Sequence, residues 1–353
     1  MPRSMRMSER PTRLPGIITK PMSWLYGLGA GYRAHGFDAG RGVVRLDRPV
    51  ISVGNISAGG TGKSPMVHHI VRTLIENGHH PAIAMRGYKA EPGTLGDEGM
   101  EHRLAFADVP IIAQPDRLAG LAALFETDEG KRIDCIVLDD GFQHRRIARD
   151  LDLVLIDSSR PPDRDALLPH GFLREPVSAL SRADAVVLMH TELVNAPELA
   201  RLKHWIQNTT GKPPIACTEH NWTQLEVFDG DDVHMKSPSW LEGRRIIVLC
   251  GIGNPRGLLE GVESQGGRIA RSFVLGDHES ISEDLLKVII AKINENGSHV
   301  LLMTRKDWVK LGERRRQIPC QTVVPRLELG FGGGSGPIDS LILASARSGQ
   351  TRA

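Results

Sequence analysis

From Pro49 onward, short apolar runs alternate with stretches whose apolar residues recur at helical spacing. The runs 49–54 (PVISVG), 81–85 (PAIAM), 109–113 (VPIIA), 133–138 (IDCIVL), 151–156 (LDLVLI) and 184–189 (DAVVLM) are apolar with little alternation, the pattern of strands covered on both faces. Helical periodicity predicts helices over 63–77, closed by Gly78 just past the end, and over 116–128. Six such strands with short helical crossovers predict a doubly wound, mostly parallel α/β sheet over 43–208. A second rhythm follows. The run 245–250 (RIIVLC) enters a turn at Gly251–Pro255, then come a helix near 256–265, a strand at 268–275, a helix at 281–296 and a strand at 299–303. This predicts a smaller α/β domain over 244–330. Between the two, 209–243 is polar and proline-bearing and reads as a hinge, while FGGGSGP gives 331–353 the composition of a flexible tail.

Composition changes this picture in a few places. With 353 residues there is chain enough for one large or two medium domains, and 5% aromatic content leaves the core to Val, Ile, Leu and Ala. A total charge of +2 gives no ground for a nucleic-acid partner. Its distribution is more telling: residues 1–48 hold nine basic against three acidic side chains, a net +6 that leaves −4 for the remainder. Within residues 1–42, the uncharged stretch Pro21–Tyr32 (PMSWLYGLGAGY) is too short to span a bilayer, and no small-x-small cleavage site follows it. Met22, Trp24, Leu25, Tyr26 and Leu28 suit the headgroup region of an anionic membrane surface, with basic neighbours on lipid phosphates. Packing of these side chains on the protein itself, or a disordered basic leader, are the alternatives. Four cysteines without CxxC spacing imply neither a disulfide framework nor a zinc site.

The candidate chemistry begins at the end of the first strand. There the series Asn55-Ile-Ser-Ala-Gly-Gly-Thr-Gly-Lys-Ser64 runs into a helix. A loop entering a helix N-terminus presents unpaired N–H groups to phosphate, with the helix dipole behind them. Ser57, Ala58, Gly59, Gly60, Thr61, Gly62, Lys63 and Ser64 are therefore candidate ATP-binding residues, with Lys63 on the β- and γ-phosphates and the Ser64 hydroxyl on Mg²⁺. The strict phosphate-loop pattern has glycine where this chain has Ser57. A second signal closes the strand 133–138: Asp139 and Asp140 stand at a strand carboxyl end, where α/β sheets collect ligands, and offer oxygens to a hard cation.

The blocks VGNISAGGTGKSP (53–65), MRGYK (85–89), GDE (96–98), QPDR (114–117), LDDGFQH (138–144), LLPHGFLREP (167–176), GIGNP (251–255), GDH (276–278) and TRKD (304–307) together resemble the tetraacyldisaccharide 4′-kinase family. The resemblance implies two α/β domains facing across a cleft, the larger P-loop NTPase-like. It also implies transfer of the ATP γ-phosphate to the 4′-hydroxyl of a tetraacylated glucosamine disaccharide 1-phosphate in lipid A synthesis. The enzyme would be peripheral, on the cytoplasmic face of the bacterial inner membrane. By motif, Asp97 takes the position of the base for the attacking hydroxyl and His278 that of its partner, with Lys63 as the catalytic cation. Glu98 would support the Mg²⁺ shell of Ser64, Asp139 and Asp140, and Arg86, Tyr88, Arg117, Gln143, Arg174 and Glu175 would line the cleft. Three departures stand out: Gly99 replaces the usual proline, Arg305 reverses a charge, and Ser64 stands for threonine. A monomer is expected. Taken alone, the phosphate turn also fits a P-loop switch NTPase of the partitioning or metallochaperone type, and the amino terminus a non-catalytic membrane-binding module.

Overall fold

A computed structural model describes residues 16–87, 95–276, 279–298 and 300–348. Along the chain they form α1 (Gly16–Asp38), β1 (Val50–Asn55), α2 (Lys63–Glu76), β2 (Pro81–Met85), α3 (Gly96–Ala105), β3 (Ile111–Ala113) and α4 (Arg117–Phe125). Next come β4 (Cys135–Asp139), β5 (Leu151–Asp157), β6 (Ala185–Met189), α5 (Ala196–Thr210), β7 (Ala216–Asp229), β8 (Asp232–Lys236) and β9 (Arg245–Cys250). The last are α6 (Pro255–Ser264), β10 (Arg268–Val274), α7 (Glu283–Asn296), β11 (Val300–Met303), α8 (Arg305–Leu311), β12 (Gln321–Phe331) and α9 (Gly336–Ser348). Two compact units share these elements: Met1–Arg86, Asp108–Thr218 and Phe331–Ala353 form the first, Gly87–Ala107 and Glu219–Gly330 the second.

In the first unit the strands run β3-β2-β4-β1-β5-β6, every neighbouring pair parallel, and the first residues of β7 add to β6. The strands from β1 to β6 match the six apolar runs, and β1, β4 and β5 are buried at every residue. Strand order reverses at β1, which pairs with β4 on one side and β5 on the other. That reversal makes the carboxyl ends of β1 and β4 the place where a ligand can enter. Helix α2 starts with Pro65 in its first turn, where a missing N–H costs nothing, and buries Met66, Val67, Ile70, Val71 and Leu74. Gly78 follows its end with φ 83°, the left-handed stop that the sequence predicts.

The second unit has the sheet β10-β9-β11-β12, parallel throughout, with β12 beside β7 and an antiparallel β7–β8 hairpin. Alternate residues of β9 serve opposite faces. Ile246, Val248 and Cys250 join α6 residues Leu258 and Val262, while Ile247 and Leu249 join Leu286, Ile289 and Ile293 of α7 and Trp308 of α8.

Three expected boundaries differ. Residues 209–243 hold the fourteen-residue strand β7 and the β7–β8 hairpin, and the division between units falls inside β7, at Thr218. Polar residues hide this strand from a hydrophobicity reading. Residues 87–107 belong to the second unit rather than to the core, with α3 packed on α8. The stretch 331–353 is no loose tail in its described part: α9 lies on α2, buries Ile338, Ile342 and Ala346, and fastens there through Asp339 Oδ1 and His69 Nε2 at 2.8 Å. Ile342→Ala should therefore lower the stability of the first unit by about 2–4 kcal/mol. Urea denaturation followed by circular dichroism checks this; a flexible tail would give less than about 0.5 kcal/mol.

Candidate nucleotide site

The phosphate turn is built by the end of β1 and the start of α2. Gly59 and Gly62 hold φ of 119° and 79°, angles that side-chain-bearing residues rarely adopt, and Gly62 caps α2 from the left-handed region. Ser57 does not sit at such an angle. It is buried and forms a β-bridge with Leu173, which explains why serine serves where glycine is usual. The turn is closed by a buried bond from Asn55 Nδ2 to Thr61 Oγ1 at 2.6 Å.

The acidic turn stands beside it because β1 and β4 pair in register, Val53 opposite Asp139. Asp139 is buried. Asp140 takes a left-handed φ of 50°, an angle that costs a non-glycine residue about 1 kcal/mol. Gly141 follows because any Cβ there would lie 2.4 Å from Ser52 Oγ. Likewise a Cβ on Gly54 would lie 2.5 Å from that of Phe142, so the strand end and the acidic turn touch backbone to backbone.

Asp140 collects cations. Arg174 Nη1 donates to its Oδ1 and Oδ2 at 2.9 and 2.8 Å, Lys63 Nζ lies 3.5 Å from Oδ1, and both terminal nitrogens of Arg117 donate to its backbone carbonyl at 3.3 Å. Burial pushes the Asp140 carboxyl up, but Lys63, Arg174 and Arg117 together outweigh it and bring it down to about 2. Gln143 donates from Nε2 to Asn55 O at 2.8 Å and accepts from Arg174 at 3.5 Å. Glu175 pairs with Arg182 at 2.8 Å. Arg86 ends the first unit and adds to the positive field around Arg117. His144 is pushed down to about 4 by burial and by Arg117, Arg149 and Arg146, so it stays neutral near pH 7.

The structure thus gathers Lys63, Arg117, Asp140, Gln143 and Arg174 around the paired ends of β1 and β4, with Ser64 in the first turn of α2 and Asp139 at the last residue of β4. Asp97 and Glu98 are the second and third residues of α3 in the second unit. His278 and Tyr88 lie outside the described residues. Sequence reasoning missed Asn55, which closes the turn, and Arg160, whose Nη1 lies 3.7 Å from where a Cβ on Gly59 would stand. It also missed Arg149, whose Nη2 donates to the carbonyls of Gly141 and Phe142. Asn55 could have been found, since it is the first residue of the phosphate series; Arg149 and Arg160 reach the site only through folding.

A carboxyl held near 2 sets a pH test. The folded-state value is below the ordinary one, so the stabilisation is complete above about pH 4 and is lost as pH falls toward 2. Wild type should be more stable than Asp140→Asn at pH 7, and the gap should close between about pH 4 and 2 in thermal melts across that range.

The family model of tetraacyldisaccharide-1-P 4′-kinase matches residues 16–345. A tetraacyldisaccharide 4′-kinase of Chlorobaculum parvum is 32% identical over 323 residues, covering 86% of this chain and 86% of its own length. One of Geobacter metallireducens is 35% identical over 321 residues, covering 85% of this chain and 90% of its own. A solved structure, LpxK from Aquifex aeolicus in complex with ATP, aligns with a TM-score of 0.68 at 26% identity and covers 92% of this chain and 98% of that one.

Proposed function

The chain belongs to the tetraacyldisaccharide-1-P 4′-kinase family, and on that premise we propose that it transfers the γ-phosphate of ATP to the 4′-hydroxyl of a tetraacylated glucosamine disaccharide 1-phosphate, with the phosphate turn and the acidic turn in the roles that follow. The observation that carries this reading is the Lys63–Asp140 contact of 3.5 Å, which joins a glycine-rich turn to the acidic end of the neighbouring strand. Family membership removes the support for a switch NTPase and for a non-catalytic membrane module.

The residues do the following. Backbone N–H groups of 59–64 receive the phosphates, and the positive angles at Gly59 and Gly62 allow that close approach. Lys63 and Arg174, both oriented by Asp140, supply positive charge where the transferred phosphoryl group spreads its negative charge. The donor set of Ser64 hydroxyl and Asp139 carboxylate, all oxygen, fits Mg²⁺, with Glu98 a further candidate. Bound there, Mg²⁺ would neutralise phosphate charge. Asp97, assisted by His278, accepts the proton of the 4′-hydroxyl as the oxygen–phosphorus bond forms and the bond from the γ-phosphorus to the bridging oxygen of ADP breaks. Arg86, Tyr88, Arg117, Gln143 and Glu175 are assigned to the substrates or to holding the residues that touch them.

The acceptor lives in a lipid layer, and helix α1 suits that surface. No helix among the described residues is long and apolar enough to cross a membrane. Yet Ile17, Trp24, Leu25, Leu28 and Tyr32 of α1 are all more than half exposed, which is unusual for so many large apolar side chains on one helix. These side chains enter the headgroup layer of the anionic cytoplasmic leaflet, and basic residues of 1–42 meet its phosphates. Tyr26 is not one of them, because its hydroxyl is tied to Arg174 O of its own body at 3.0 Å.

Transfer of labelled phosphate from ATP to tetraacyldisaccharide 1-phosphate tests the reaction. Asp97→Ala should lower kcat at least about 10²-fold with ATP affinity nearly intact. An equal loss of ATP affinity would assign Asp97 to nucleotide binding instead. For the membrane contact, Trp24→Ser with Leu25→Ser should reduce co-sedimentation with anionic vesicles several-fold. Unchanged sedimentation rejects it.

A further inference from the structure

Helix α1 is inverted relative to an ordinary surface helix. The face it turns to the protein carries Thr19, Ser23, Tyr26 and Gly27, spaced four, three and one apart, and of these Thr19 and Ser23 are buried although polar. Buried hydroxyls need partners, and here, besides a 3.5 Å bond from Thr19 Oγ1 to Gly16 O of the same helix, the partners lie in one segment, the loop 165–174. Ser23 Oγ donates to Leu167 O at 2.7 Å and accepts from His170 N at 3.0 Å. Thr19 Oγ1 pairs with His170 Nδ1 at 2.9 Å, and Tyr26 Oη donates to Arg174 O at 3.0 Å. Gly27 allows the approach, since a Cβ there would stand 2.9 Å from Leu167 Cδ1.

The same loop is bonded on its other side to the phosphate turn. Ala58 N donates to Phe172 O and Arg174 N to Ile56 O, each at 2.7 Å, while Ser57 and Leu173 form the β-bridge between them. Its last residue carries the guanidinium that grips Asp140. A continuous chain of hydrogen bonds therefore runs from α1 through the loop 165–174 to the first turn of the phosphate loop and to Arg174.

We infer that Ser23 and Tyr26 are positioning residues of the transfer reaction: α1 acts as a strut that sets the place of Arg174 beside Asp140, in addition to any contact with lipid. This rests on the kinase reading above. Tyr26 acts on the backbone of Arg174 itself, so losing its hydroxyl frees the peptide from which the guanidinium projects. Ser23 acts one step further back, by fixing the two ends of the 167–170 turn. Neither side chain reaches the reacting atoms, and their effect passes through Arg174.

The test uses the full chain with acylated disaccharide 1-phosphate in detergent mixed micelles, so that vesicle partition does not enter the rate. Tyr26→Phe removes one oxygen and leaves the packing; it should lower kcat about fivefold, the value of one neutral hydrogen bond, with KM for ATP within about twofold. Ser23→Ala, which strands two partners, should cost at least as much, and Ser23→Thr should restore most of it. In an Arg174→Ala background, Tyr26→Phe should change single-turnover transfer by less than about twofold, because the group it positions is gone. An unchanged kcat in both Tyr26→Phe and Ser23→Ala overturns the inference. So does a fivefold loss that persists in the Arg174→Ala background, which would mark a general structural effect. Wild-type protein that phosphorylates no acylated disaccharide defeats the kinase reading instead, and wild-type turnover with insensitive variants defeats only the strut.

Discussion

The pairing of β1 with β4 is the constraint on which the site depends. Parallel register sets Asp139, the last residue of β4, opposite Val53, two residues before β1 ends, so the phosphate turn and the acidic turn emerge side by side. At the next residue the chain leaves β4 in a left-handed angle at Asp140, and the carboxylate comes within reach of Lys63 and Arg174. Glycines at 54 and 141 are required because backbone and Ser52 fill the space a side chain would need. A one-residue slip in this pair would turn Asp139 to the opposite face of the sheet and separate the two turns.

Electrostatics then does what the backbone arranges. A buried carboxylate alone would be pushed toward its neutral form, which would surrender its hold on the two cations. Three basic groups reverse that balance and keep Asp140 charged, with its carboxyl at about 2. In return the carboxylate orients long, flexible side chains that would otherwise sample many rotamers. Arg117 contributes from beneath by holding the Asp140 carbonyl, and Arg149 does the same for Gly141 and Phe142. Fixed orientation of such cations is what a phosphoryl-transfer site asks of a protein, since that chemistry rests on positioning and charge.

Much of this was legible in the chain. Runs such as 133–138 and 245–250 betray fully buried strands because both faces are apolar, and the turn 55–64 and the Asp139–Gly141 sequence announce the phosphate and acidic turns by residue type alone. What remained hidden depends on partners distant in sequence. The strand β7 is masked by its polar residues, since only Thr218, Leu225, Glu226 and Val227 of it are buried. The stretch 331–348 reads as loose from its glycines, yet α9 is kept by Ile338 and Ile342 against α2 and by the Asp339–His69 pair, some 270 residues apart. The membership of 87–107 in the second unit likewise has no local signal.

Helix α1 shows the same limit from the other direction. Its composition suggests an apolar segment, and the sequence reading gives Met22, Trp24, Leu25, Tyr26 and Leu28 to a membrane surface, with packing on the protein itself as an alternative. The structure buries Thr19 and Ser23 and exposes Trp24 and Leu25 instead. Such an arrangement is stable only if the buried hydroxyls are bonded, because an unpaired one costs about 1–3 kcal/mol. Each is bonded, to the loop 165–174, so the outward apolar face leaves no polar group stranded behind it. A single helix can then serve two ends at once: hydroxyls fix it to the loop that carries Arg174, and large apolar side chains stay exposed for the lipid contact proposed above. The polar inner face makes the helix specific in register, and the apolar outer face stays largely exposed.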